Sequence, residues 1–204
     1  MAKLITPEQE FENPNAFYTQ QEVKRYENNS GMKRSQITLT KIALSISGIN
    51  LNNKKIFILD VGCGTGFSLE YLKDLGFINL KGIDPSLEMI KIAKDKGFLV
   101  EDLGFEDLNK IKNKFDLIIS ISALQWVIAN KRELLLKNLI KKIGKGLYNL
   151  LNVNGKAVIQ FYPESEIVFK DISSSFNRCG FSVQEYIYNS DSLKKRKYFL
   201  ILFK

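Results

Sequence analysis

Residues 60–66 read Asp60-Val61-Gly62-Cys63-Gly64-Thr65-Gly66, with the apolar run KIFILDV (55–61) leading into them and a helical pattern behind them. Glycines at this spacing let a strand turn sharply into a helix and let a ligand press against bare backbone. This is not the GxGxxG that seats a dinucleotide pyrophosphate, because the third glycine follows one intervening residue and Phe67 comes next. A ligand with an amino-acid end and no pyrophosphate suits the loop better. Asp60 is placed to receive a cationic α-amino group, directly or through water. Asp84 lies eighteen residues past Gly66, at the end of the next strand. A carboxylate there accepts hydrogen bonds from both hydroxyls of a ribose. Asp102 follows a third strand, within reach of an adenine amino group, and Leu103 would pack the ring. Each acid alone is equally a helix cap or a turn residue. Three of them, at the carboxyl ends of three successive strands beside a DxGxGxG loop, imply S-adenosylmethionine (SAM). The expected cofactor contacts are Asp60, Gly62, Cys63, Gly64, Gly66, Asp84, Pro85, Asp102, Leu103, Ser120 and Ile121, with Tyr18 and Tyr26 closing over them as a lid.

A sulfonium methyl donor implies an in-line displacement, in which nucleophile, methyl and sulfur are held collinear and water is excluded. Ser120, Ser122, Gln125 and Trp126 follow the fourth strand, where the methyl should point. Trp126 can stack on a base and Gln125 can hydrogen-bond its edge; Trp126 is equally an anchor for the next helix. Tyr162-Pro163-Glu164 follows the fifth strand on the opposite wall. Glu164 can accept the N1–H and N2–H donors of a guanine, or cap a helix. Gln125, Trp126, Tyr162 and Glu164 are thus the expected substrate-positioning residues, with no general base among them. No metal ligand set is expected, since there is no histidine and the two cysteines have no metal spacing.

The elements needed to position these residues are visible in the hydropathy pattern. Residues 15–29 suggest a short, weakly apolar helix, and 32–48 a longer one stopped by Gly48. Strands are expected at 55–61, 79–84, 98–101, 115–122, 156–162, 181–188 and 196–203, and helices at 66–75, 87–96, 131–150 and 164–179. Alternating strands and helices predict an α/β, doubly wound, mostly parallel seven-stranded sheet. The last two strands are joined only by NSDSLKK, too short for a helical crossover, so the last strand should be antiparallel. The reading is a single methyltransferase domain over 1–204, with 1–48 a helical lid and 49–204 the α/β core.

The 204 residues suffice for one sizeable core. The N-terminus lacks the apolar stretch of a signal peptide, no run is long enough to span a bilayer, and the cysteines form no pair motif. A cytoplasmic protein is expected, with no membrane association. A net charge of +8 favours a polyanionic partner or a merely solvated basic surface. Lys131, Arg132, Lys137, Lys141, Lys142 and Lys145 make one basic cluster, and Lys194, Lys195, Arg196 and Lys197 a second. Either could track RNA phosphates.

Several blocks resemble the small-subunit ribosomal RNA guanine-N7 methyltransferase family, of the Williams–Beuren region methyltransferase type. They are FYTQQEVKRYENNSGM (17–32), DVGCGTG (60–66), ISISALQW (119–126), VIQFYPES (158–165) and NSDSLKKRKYFLILF (189–203). The glycine motif is general to class I SAM methyltransferases; the other blocks are more specific. The resemblance implies methyl transfer to N7 of a guanine in ribosomal RNA or the small ribosomal subunit. It also implies a small zinc-finger activator protein, for which the short apolar edge strand Phe98–Glu101 is the expected docking place. Family members usually carry Arg where Gly31 stands, and a basic C-terminal extension beyond the seventh strand, so a compact, prokaryotic relative is expected. The alternatives are a small-molecule or acyl-carrier O-methyltransferase, which shares the glycine motif, and a non-catalytic SAM-fold ribosome-assembly factor.

Overall fold

The computed structural model describes residues 5–11, 13–192 and 195–204. Seven strands form one sheet in the order β3-β2-β1-β4-β5-β7-β6. The strands are β1 (Phe57–Val61), β2 (Asn79–Ile83), β3 (Val100–Glu101), β4 (Phe115–Ile121), β5 (Leu151–Phe161), β6 (Ser182–Tyr188) and β7 (Lys197–Phe203). β1 pairs in parallel with β2 and β4, whereas β7 runs antiparallel between β5 and β6. The expected doubly wound sheet with an antiparallel last strand is the observed one.

Side chains alternate across each strand, and this sorts the core into two layers. Ile58, Leu117, Ile119, Ile121, Val158 and Ile201 face Leu39, Ala43, Leu44 and Leu72, on helices α4 (Ser30–Ser47) and α5 (Phe67–Asp74). Leu59, Val61, Ile118, Ile159 and Leu200 face the other way, toward Ile143 and Leu147 of α8 (Glu133–Leu150) and Phe169, Ile172 and Phe176 of α9 (Glu166–Asn177). Each buried Val, Leu, Ile or Phe among them contributes about 1.5–3 kcal/mol relative to exposure. Helix α6 (Leu87–Asp95) covers β2 and β3 through Ile90 and Ala93, and Ser86 caps it by accepting from the Met89 amide.

The structure departs from expectation in five elements. The segment before α4 is not one helix but α1 (Pro7–Glu10), α2 (Pro14–Phe17) and α3 (Gln20–Glu27), because Tyr18 leaves the helical region and Thr19 starts a new cap. The third strand shrinks to Val100–Glu101, since only these pair with β2. A 3-10 turn, Phe105–Lys110, follows it and buries Phe105 and Leu108. α7 (Leu124–Ile128) precedes α8 as a separate short helix. β5 begins at Leu151: it pairs with Phe115, loops out through Val153, Asn154 and Gly155, and rejoins β4 at Lys156. No helix among the described residues is long and apolar enough to cross a membrane.

Candidate active site

In a sheet of this kind, ligands bind outside the carboxyl ends of the strands, where the strand order reverses. Here that place lies between β1 and β4. A cavity of about 1030 Å3 opens there, walled by the loops after β1, β2, β3, β4 and β5 and by the N-terminal helices. The loop after β1 is held closely. The amides of Gly62 and Cys63 both donate to the Ile83 carbonyl, at 2.8 and 3.0 Å. Gly62 has φ 80°, and a Cβ there would lie 2.2 Å from Cβ of Ala123. Only glycine lets the loops after β1 and β4 approach this closely.

Asp84 locks the glycine loop to the next turn. Its Oδ2 accepts from the Gly64 amide and its Oδ1 from the Ser86 amide, both at 2.8 Å. Burial pushes this carboxyl up to about 6, although the two amides pull it down. A carboxylate has roughly four lone-pair directions, so Asp84 keeps acceptor capacity on the cavity wall for two ribose hydroxyls.

Asp60 sits deeper. It is 1% exposed, and neither carboxylate oxygen has a hydrogen-bond partner. Burial, and after it the charge of Asp84, pushes the Asp60 carboxyl up to about 8. An unmatched buried carboxylate costs several kcal/mol, and a native fold that keeps one usually has a use for it. Thr65 Oγ1, Ser120 Oγ and Gln125 Oε1 are also buried without partners. The unpaired oxygens of Asp60, Thr65 and Ser120 are acceptors that fit the cationic amino-acid end of SAM.

The outer wall is aromatic. Tyr26 stacks on Phe67 with ring centroids 5.4 Å apart, Tyr18 meets Tyr26 at 6.2 Å and Trp126 at 5.3 Å, and Phe17 meets Trp126 at 5.6 Å. Burial raises both tyrosine hydroxyls well above the ordinary phenol value. Ion pairs fasten the same segment to the core: Lys96 lies 2.7 Å from Glu27 and 3.3 Å from Glu70, and Lys33 lies 2.8 Å from Glu70.

Of the residues singled out in the sequence, Tyr18, Tyr26, Gly62, Cys63, Gly64, Asp84, Pro85, Ile121, Gln125, Trp126 and Tyr162 line the cavity. Asp60 and Ser120 lie buried behind its wall, and Gly66 starts α5. Three expectations are corrected. Asp102 is exposed and off the cavity wall, though close enough to raise Asp84. Leu103 packs on the core, because the chain turns inward there toward Phe105. Glu164 is exposed and off the wall, and Ser165 rather than Glu164 caps α9, accepting from the Val168 amide. Trp126 serves as anchor and cavity wall at once.

Sequence reasoning missed Met89, Phe105, Glu106 and Asp107 on the wall. Met89 was within reach: a helix capped by Ser86 must put Met89 in its first turn, facing the glycine loop. The 3-10 turn carried no comparable signal. Among the described residues no group of His, Cys, Asp and Glu could hold a metal, and Cys63 and Cys179 are free thiols. Burial raises the Cys63 thiol well above its ordinary value.

Residues 59–151 match the family described as Methyltransferase domain. The chain is 34% identical over 195 residues to the 18S rRNA (guanine-N7)-methyltransferase of Bos taurus, covering 93% of this chain and 68% of that protein. A Dictyostelium discoideum protein described as a probable 18S rRNA (guanine-N7)-methyltransferase is likewise 34% identical, with 93% and 67% covered. The fold matches magnesium protoporphyrin IX methyltransferase of Synechocystis, solved with bound SAM, at a TM-score of 0.63 and 15% identity over 100% of both chains. The sheet, the glycine loop, the orphaned carboxylate and these likenesses agree that the chain is a SAM-dependent methyltransferase and belongs to the 18S rRNA (guanine-N7)-methyltransferase family.

Proposed function

We propose that the chain transfers the methyl group of SAM to N7 of a guanine in small-subunit ribosomal RNA. The observation that carries this reading is the likeness along nearly the whole chain. A glycine loop alone is shared with O-methyltransferases. When bound, SAM supplies an electrophilic methyl group on a sulfonium. The protein holds the other partners. Asp60 pairs with the α-ammonium, Asp84 takes the ribose hydroxyls, and the amides around Gly62–Gly64 border the amino-acid end. Tyr18 and Tyr26 exclude water from above. Trp126 and Tyr162 flank the entering base, and Gln125 offers an acceptor to its N–H edge. N7 carries its own lone pair, so positioning and water exclusion are the whole catalytic task.

The chain works as one methyltransferase domain, with the N-terminal helices as lid and the α/β core from residue 49 onward, in the cytoplasm. RNA approaches the mouth of the cavity over basic side chains. Arg25 and Lys131 line it. Lys197 lies 4.8 Å over the Tyr162 ring, and Arg196 pairs with Glu166 beside it. Lys141, Lys142 and Lys145 are exposed but run down α8 away from the mouth, Lys145 about 18 Å from Glu133 at 1.5 Å per residue. Lys194 lies outside the described residues.

A small zinc-finger activator pairs with the edge strand β3. Leu99 beside it is 64% exposed, and Ile78 and Phe57, at the amino ends of β2 and β1, are 68% and 48% exposed. This apolar face lies at the end of the strands remote from the glycine loop, so a partner there leaves the cavity open.

Tritiated SAM with purified small ribosomal subunits, with and without the activator, tests the proposal. Label recovered as N7-methylguanine in ribosomal RNA is the expected result. Label entering an acyl-carrier protein instead overturns the substrate. SAM binding with no transfer to the subunit under either condition points to an assembly factor.

A further inference from the structure

We propose that Gln160, buried inside β5, is the positioning residue for the substrate side of the cavity, acting through Ser122. Ser122 follows β4 directly and has φ 55°. Four non-glycine residues take a positive φ among the described residues, and the other three, Asn130, Asn154 and Asn189, are asparagines. Asparagine tolerates this left-handed region; serine does so at a cost that its surroundings must offset. The compensation comes from Gln160, which is 0% exposed. Its Oε1 accepts from the Ser122 amide at 3.0 Å and from the Ser122 hydroxyl at 2.9 Å. The Ser122 amide also donates to the Gln160 carbonyl at 3.0 Å.

The next link runs into the cavity wall. Gln125 Nε2 donates to the Ser122 carbonyl at 2.9 Å. A carbonyl only accepts, so the amide of Gln125 must turn its nitrogen to Ser122 and keep Oε1 as the free, buried acceptor. Trp126 follows in the same helical turn, its amide donating to the Ala123 carbonyl at 3.1 Å. One glutamine in a strand core thereby sets the backbone that aims both Gln125 and Trp126. Gln160 itself is absent from the cavity wall, which makes it a positioning residue.

The inference rests on the methyl-transfer reading only for its kinetic arm. Trp126 is the only tryptophan in the chain, so its emission reports the geometry of this loop without any substrate. Gln160→Leu removes the acceptor at similar volume. It should shift Trp126 emission, keep SAM affinity within about threefold, and lower kcat for the small subunit about tenfold or more, the scale on which small misplacements act. Ser122→Gly provides the decisive control, because glycine takes φ 55° unaided. In the glycine background, Gln160→Leu should leave emission unchanged and cost less than about threefold in kcat. An equal penalty in both backgrounds, or a parallel fall in SAM affinity, overturns the relay and makes Gln160 a packing residue. If Gln160→Leu alone fails to fold, recovery of a folded, SAM-binding protein by the double variant supports the relay, and an unfolded double variant overturns it. A subunit that accepts no methyl from the parent protein defeats the substrate reading, while the emission cycle still decides the role of Gln160.

Discussion

The proposed pairing of Asp60 with the α-ammonium would tie SAM binding to pH in a way that can be counted. Burial raises its carboxyl to about 8, so at pH 6.5 the free protein holds it mostly protonated. An α-ammonium beside it favours the charged form, and binding must then expel the proton. The ligand's own α-amino group, ordinarily near about 7.7–8.0, is already cationic at that pH. Binding at pH 6.5 should therefore release most of one proton, and affinity should rise with pH up to about 8, by at most about tenfold per unit. Stability has the opposite sign. The folded value lies above the unfolded one, so a neutral Asp60 favours the fold at low pH. That contribution fades as pH rises from about 3.9 to about 8. Asp60→Asn should consequently raise the Tm of the ligand-free protein more at pH 8 than at pH 5, while weakening SAM binding and flattening its pH profile. Titration calorimetry at pH 6.5 in two buffers of different protonation enthalpy reads the proton count directly. Equal proton release from the parent and from Asp60→Asn would refute the assignment of the ammonium to Asp60.

Three further outcomes are expected. Asp84→Ala should weaken SAM binding by about 1.5–3 kcal/mol, as loss of hydrogen bonds to a charged group does; calorimetry on the folded variant showing parental affinity would remove Asp84 from the site. Reversing Lys131, Arg196 and Lys197 to Glu should weaken RNA binding and flatten its salt dependence more than reversing Lys141, Lys142 and Lys145. Equal losses in filter-binding titrations would spread the RNA over the whole basic surface instead of the mouth. Leu99→Lys should abolish co-elution with the zinc-finger activator while SAM binding stays parental, and co-elution at parental affinity would rule out pairing at β3.

The fold was largely legible because its signals are local and redundant. The run 55–61, the glycines after it and the helix behind it each point to one strand–loop–helix unit, and the short connection 189–195 forces an antiparallel end. What escaped is tertiary. Strand β3 has two residues because pairing with β2, not hydropathy, decides where it begins and ends, and Phe98 and Leu99 are apolar for other reasons. Asp102 and Glu164 have the right type and chain position, yet both side chains face solvent. Strand register cannot show which way a loop turns after the strand ends. Gln160 was hidden for the reverse reason. In VIQF it is one polar residue within an apolar strand, and only the φ of Ser122 reveals what it holds.

The distribution of titratable groups argues for a nucleophile that needs no deprotonation. The sequence contains no histidine. Burial lifts Tyr18, Tyr26 and Cys63 well above their ordinary values, so at neutral pH each keeps its proton and none can accept one. Asp60 and Asp84, raised to about 8 and about 6, are the two groups tuned near neutrality, where a general base works best. Both stand beside the glycine loop, where the proposed ammonium and ribose contacts would occupy their lone pairs. Asp107, also on the wall, is pulled below the usual carboxylate range by Lys110 and the Gly104 amide, which makes it a poor proton acceptor. An attacking hydroxyl would have to shed its proton against this arrangement. The N7 of guanine brings a free lone pair and asks only to be held in line, which is what a loop aimed by a buried glutamine and an aromatic wall can do.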